Sequence, residues 1–170
     1  MTPTTLVVGL GDPARADDAL GPLALAALSR AGRTNAGVAW LDTPALTARD
    51  LPVLGAVRRV LVLTTVHVGG RPGAVHRLTW QGEGPGLAPR LPLLRAHGVE
   101  LLRTLHYWVD PPPELVLLGV ETGSPAEDGP PHPAVGRALP ALVAAAMHQL
   151  REWGHELALH PRPSIRSTLP

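Results

Sequence analysis

The 170-residue chain contains no cysteine, which excludes disulfide bridges, thiolate metal sites and a cysteine nucleophile. Any metal it handles must be held through oxygen and nitrogen. Lysine and phenylalanine are absent too, and aromatic residues make up only 3% of the chain. The arginines are scattered, so there is neither a basic stripe nor an aromatic stacking platform, and nucleic acid is excluded as a partner. Charged residues amount to 17% and the formal net charge is +1, so neither disorder nor a strongly charged partner is indicated. No apolar run approaches the ~18 residues needed to span a bilayer, and no basic segment followed by an apolar one opens the chain. The expectation is a cytoplasmic protein with no membrane partner. The abundance of Ala, Leu, Pro, Gly and Arg reflects GC-rich coding and carries no chemistry.

What is present suits one domain with a real core, expected over residues 1–155, with a loose tail over 156–170 that contains Pro161 and Pro163. Strands are predicted at Thr5 to Leu10, Val38 to Asp42, Arg59 to Val66, Ala74 to Trp80 and Glu114 to Glu121. The apolar ones are continuous runs without alternation, which suits a sheet covered on both faces. Helical stripes follow at Leu20, Leu23, Ala24, Ala27 and Leu28, at Leu101, Leu102, Leu105 and Trp108, and from Val135 to Trp153 behind Pro133. A short helical piece is expected after Asp42. The predicted fold class is therefore α/β, a three-layer sandwich with a mainly parallel five-stranded sheet and helices on both faces. The third and fourth strands read as a pair joined through Gly69-Gly70-Arg71-Pro72-Gly73, short enough for a hairpin, with the fourth strand antiparallel.

The run from Val7 to Gly21 is the richest in chemistry. Gly9 and Gly11 turn the chain sharply out of an apolar strand, and Asp17 and Asp18 stand where the next helix opens, at about Asp18. One reading is a dinucleotide loop, since Gly9-x-Gly11-x-x-Ala14 satisfies the glycine pattern and Asp42 ends the second strand. Asp12, Asp17 and Asp18 oppose it by repelling a polyanion, and Pro13 removes an amide that phosphate needs. The other reading makes the carboxylates the working groups, aimed at a cation or a proton. Against both stands a plain structural role, in which Asp17 caps the helix and Asp18 complements its dipole.

In open α/β sheets ligands sit at the carboxyl ends of the parallel strands. That edge holds Asp12, Asp17, Asp18, Asp42, Thr64, Thr65, His67, Glu121 and Thr122. Of the eight histidines, His76, His148, His155 and His160 read as surface residues. His97 stands just ahead of the third helix, near Gly98 and Val99, where a side chain can point into the same cleft. No G-x-S-x-G elbow surrounds any serine, and His155-Glu156 lacks the second histidine of a zincin helix.

These motifs resemble those of the hydrogenase maturation endopeptidases, which trim the C-terminal extension from the large subunit of nickel-iron hydrogenases. The resemblance spans about Leu6 to Trp153. Its most specific part is the opening G-x-G-N-x-x-x-x-D-[DE]-x-x-G, here with Gly9, Gly11, Asp17, Asp18 and Gly21 in place and Asp12 where Asn is usual. Leu41-Asp42, Val62 to Gly73, His97, Leu118 to Glu121 and Pro133-x-Val135 follow in order. The resemblance implies an aspartic-type peptidase acting on a hydrogenase large-subunit precursor, with nickel already inserted in that substrate as recognition tag and no resident cofactor. It assigns Asp18 and Asp42 to catalysis and Asp18 and His97 to the metal. The third metal position departs from the family: where V-D-A is usual this chain has Leu63-Thr64-Thr65, so Thr64 replaces the acid. His67 is the nearby nitrogen ligand that can substitute for it, with Asp17 the other candidate. The family's G-G-T after the second-strand acid is also replaced, by Thr43-Pro44-Ala45. These departures imply a second role, a hydrogenase-binding assembly factor that has lost cleavage, and a nucleotide-binding α/β protein is the more distant third.

Overall fold

The computed structural model describes residues 2–31, 36–80, 100–122 and 132–157. Its order is β1 (Thr5–Leu10), α1 (Leu20–Ala31), β2 (Val38–Thr43), α2 (Leu51–Gly55), β3 (Arg59–Val66), β4 (Val75–Trp80), α3 (Glu100–Thr104), β5 (Glu114–Glu121), α4 (Pro133–Arg137) and α5 (Leu139–Glu152). The strands form one five-stranded sheet in the order β2-β1-β3-β5-β4. β2, β1, β3 and β5 run parallel, and β4 lies antiparallel to β5.

The continuous apolar runs become strands because both sides of each are covered. Every residue of β1 is buried, as is every residue of β3 and β5 except the first. Side chains alternate across the sheet with period two. Val7, Leu61, Leu63, Val116 and Leu118 pack with Leu25 and Leu28 of α1 and Leu142 and Leu150 of α5. Leu6, Val8, Val60, Val62, Leu115 and Leu117 pack with Leu54 of α2, Leu102 of α3 and Leu105. The result is a three-layer α/β sandwich, as the apolar pattern predicts.

Three local expectations need correction. β3 and β4 are not a hairpin pair, because β5 is inserted between them and bonds to both. The burial pattern gives the reason: β5 is apolar on both faces and fits a central place, whereas Arg77 and Thr79 of β4 are exposed and suit an edge. The last helix is not continuous but breaks at Ala138, since Pro140 in the first turn of α5 cannot continue a preceding helix without clashing with its carbonyls. The helix expected to open at about Asp18 begins with a tight 3₁₀ turn over Ala16–Ala19, and α1 proper starts at Leu20.

The packed domain reaches into the predicted tail. His155 and Leu157 are buried, and His155 Nε2 lies 2.8 Å from Thr5 Oγ1 at the start of β1. His155 is thus a core residue and not the surface residue its position suggested. Burial, reinforced by the nearby charge of Arg59, holds its pKa below the ordinary 6.5. The remainder of the tail, 158–170, lies outside the described residues.

Candidate functional site at the carboxyl edge of the sheet

The carboxyl ends of β1, β2, β3 and β5 converge where the Gly9–Gly21 segment crosses the sheet. Gly11 has φ +148°, and a Cβ there would lie 2.1 Å from the Asp18 carbonyl oxygen. Only glycine lets the turn and the acidic segment approach so closely. Asp12 closes the turn on itself: its Oδ1 accepts from the Ala14 N–H at 2.9 Å and its carbonyl from the Arg15 N–H at 3.0 Å. Amides that a phosphate would need are thereby spent inside the loop, and the dinucleotide reading loses its binding groups.

The adjacent aspartates have different tasks. Asp17 Oδ1 accepts from the His132 N–H at 2.8 Å, tying the acidic segment to the first residue ahead of α4. The proposed capping role for Asp17 is corrected on this point, since no side chain caps the 3₁₀ turn that Asp17 belongs to. Asp18 turns toward the sheet, where Oδ1 accepts from Thr65 Oγ1 at 3.2 Å. One carboxylate of the pair is tied to the entry of α4 and the other to the end of β3.

Thr64 and Thr65 point to opposite faces. Thr65 shares the α1 side with Leu61 and Leu63, and it is Thr65 that touches Asp18. Thr64 shares the α2 and α3 side with Val62, is 3% exposed, and gives its hydroxyl to the Thr65 carbonyl at 3.4 Å. Asp42 is exposed at the end of β2, paired in register with Gly9. His97 lies outside the described residues. Among the described residues no group of three or more His, Asp or Glu side chains is arranged to hold a metal ion.

His67, directly after β3, is drawn to a residue that the sequence marked only by place. Glu121 ends β5 and is fully buried. Its Oε2 accepts from the Val68 and Gly70 amides at 3.0 and 3.1 Å, which shapes the connection leaving β3. His67 Nδ1 lies 3.1 Å from Oε1, and His76 Nε2 of β4 lies 3.4 Å from Oε2. His76 is therefore part of this cluster and not a plain surface residue. The signal for Glu121 was available: a charged residue ends an otherwise unbroken apolar run on the same face as Thr64.

No protein-family model and no curated protein matches the chain. Solved structures do. HybD, a hydrogenase maturating endopeptidase from E. coli, superposes with a TM-score of 0.65 at 22% identity, over 91% of this chain and 94% of that one. An endopeptidase from E. coli superposes with a TM-score of 0.74 at 22% identity, over 96% and 99%. HycI, a [NiFe] hydrogenase maturation protease from Thermococcus kodakarensis, gives 0.62 at 20% identity, over 86% and 92%. The chain has the fold of these proteins along nearly its whole length. No helix among the described residues is long and apolar enough to cross a membrane.

Proposed function

We propose that the chain is an endopeptidase of the hydrogenase maturation type, acting in the cytoplasm to remove the C-terminal extension of a nickel-iron hydrogenase large subunit. The observation that carries the reading is Asp18, held by Thr65 at the carboxyl edge of β3 while its neighbour Asp17 is used on His132. A plain helix start needs no such division of labour. The full-length likeness in fold to named maturation endopeptidases supports the same reading.

In this reading nickel arrives in the substrate. Asp18 and His97 take it, His67 supplies the nitrogen in place of the acid missing at Thr64, and imidazole suits nickel well. Asp18 and Asp42 are the cleft carboxylates that accept a proton from the attacking water, while the substrate's own metal polarises the scissile amide. Incubating the purified chain with a nickel-loaded large-subunit precursor tests this directly. Mass spectrometry should show loss of the C-terminal segment, and an intact precursor refutes it.

Thr64 favours a second reading, an assembly factor that binds the precursor without cutting it. A buried hydroxyl turned to a backbone carbonyl replaces a carboxylate. The lost charge-assisted contact is worth about 1–3 kcal/mol, which is roughly one to two decades of metal affinity. Thr64→Asp should tighten nickel binding by about tenfold or more, or restore cleavage, if the site differs from an active one only there.

A further inference from the structure

Glu121 and His76 adjoin His67, the nitrogen donor of the reading above, and neither has a part in the cleavage assigned to Asp18 and Asp42. His67 Nδ1 and His76 Nε2 are the buried side-chain polar atoms without a hydrogen bond among the described residues. Each nonetheless lies at ion-pair distance from the fully buried Glu121 carboxylate, 3.1 and 3.4 Å away. The two nitrogens flank different oxygens of that carboxylate, so they do not surround a common point, in keeping with the absence of a three-ligand cage among the described residues.

The proton positions follow from electrostatics. A carboxylate only accepts, and its Oε2 already takes two backbone N–H groups. An imidazole lone pair turned toward it would set two electron-rich groups together in a buried place, whereas an N–H turned toward it is attractive. The contact with Glu121 thus favours the tautomer with its proton on the inward nitrogen of each ring. The outward nitrogen of each ring, His67 Nε2 and His76 Nδ1, is not among the buried unpaired atoms and lies on the accessible side of a ring about one third exposed. A carboxylate beside one ring nitrogen of a histidine orients the ring and selects which nitrogen stays bare.

We propose that Glu121 is a positioning residue that locks His67 in the Nδ1–H tautomer, presenting a bare Nε2 at the carboxyl edge of the sheet as a nitrogen donor for a divalent transition metal carried by the substrate. His76 is locked in the complementary Nε2–H form and braces the other carboxylate oxygen. The metal part rests on the maturation-peptidase reading above; the tautomer part stands without it. Gly70 is built around the same group, since a Cβ there would lie 2.9 Å from His76 Nε2 and 3.1 Å from Glu121 Oε2.

Long-range proton–nitrogen correlation spectra of the full wild-type chain at about pH 8, without added metal, read each tautomer directly. The expected result is Nδ1–H for His67, opposite to the form that predominates in free histidine, and Nε2–H for His76. The reverse tautomer at His67, or fast exchange between the two, overturns the proposal, and no variant has to fold for that outcome. Titration with nickel chloride should then broaden the His67 ring signals, and Glu121→Gln should raise the nickel concentration needed by about 10- to 100-fold. Unchanged nickel dependence in a folded Glu121→Gln overturns the positioning role. Correct tautomers beside an uncleaved nickel-loaded precursor would instead count against the peptidase reading alone.

Discussion

Gly21→Ala is the sharpest test of how the acidic segment is mounted. The added Cβ would lie 2.5 Å from both the Leu10 and the Leu63 carbonyl oxygens, where ordinary contact begins at 3.4 Å. Both obstacles are backbone in neighbouring strands, so no side chain can swing aside. The first turn of α1 must withdraw by roughly 0.9 Å, and overpacking of this kind costs 1–3 kcal/mol, here near the upper end at about 3 kcal/mol. For a chain of this size that corresponds to a fall in Tm of roughly 6–12 °C. The same withdrawal pulls Asp18 away from Thr65 and should weaken cleavage or nickel binding beyond what the stability loss explains. Gly136→Ala is the matched control: it lies in α4 with nothing within 4 Å of its Cβ position, and should gain about 0.5–1 kcal/mol from helix propensity. Calorimetric or chemical unfolding reads both. A Gly21→Ala protein within about 0.5 kcal/mol of wild type would show that α1 does not approach β1 and β3 as described.

Other outcomes follow from particular contacts. Because His155 titrates lower in the folded state than its ordinary 6.5, the unfolded chain binds more protons between those two values. Its contribution to stability is complete above about pH 6.5, declines as pH falls through 6.5, and levels off below the folded-state value; urea unfolding across pH 7.5 to 5 should show this, with the slope reduced in His155→Gln. Thr5→Val keeps the volume but leaves His155 Nε2 buried without its partner, and should lower the urea midpoint by the equivalent of about 1–3 kcal/mol at unchanged m-value. Asp17→Ala removes the acceptor of the His132 amide, an exposed bond, so global stability should fall by only about 0.5–1.5 kcal/mol while hydrogen exchange at His132 accelerates.

The core was largely legible because burial on both faces leaves a direct mark in the sequence. A run such as Val60 to Leu63 has no polar position with which to face water, so it must be interior. Glycine was legible for the same kind of reason: Gly9, Gly11 and Gly21 sit where a Cβ has no room. The place of β4 was not, since the connection at Gly69–Gly73 suits either a hairpin or a crossing over one strand. The edge place went to the strand with exposed Arg77 and Thr79, a choice that depends on what the whole sheet has to bury. The different partners of Asp17 and Asp18 were illegible, because adjacent carboxylates in one turn look alike until their partners are known. Those partners, Thr65 and His132, lie far along the chain.

By itself the sequence determined the α/β class, the strand segments, the glycine turn and the list of polar residues at the carboxyl edge. Each of these depends on periodicity, on steric room or on local backbone chemistry, all of which act over a few neighbouring residues. Only the tertiary structure decided which polar residues meet. It gave Asp17 to His132, Asp18 to Thr65, His155 to Thr5, and both His67 and His76 to a buried Glu121. Hydrogen bonds and ion pairs act over about 3–4 Å, and which distant residues come within that reach is set by the strand order and by parity across the sheet.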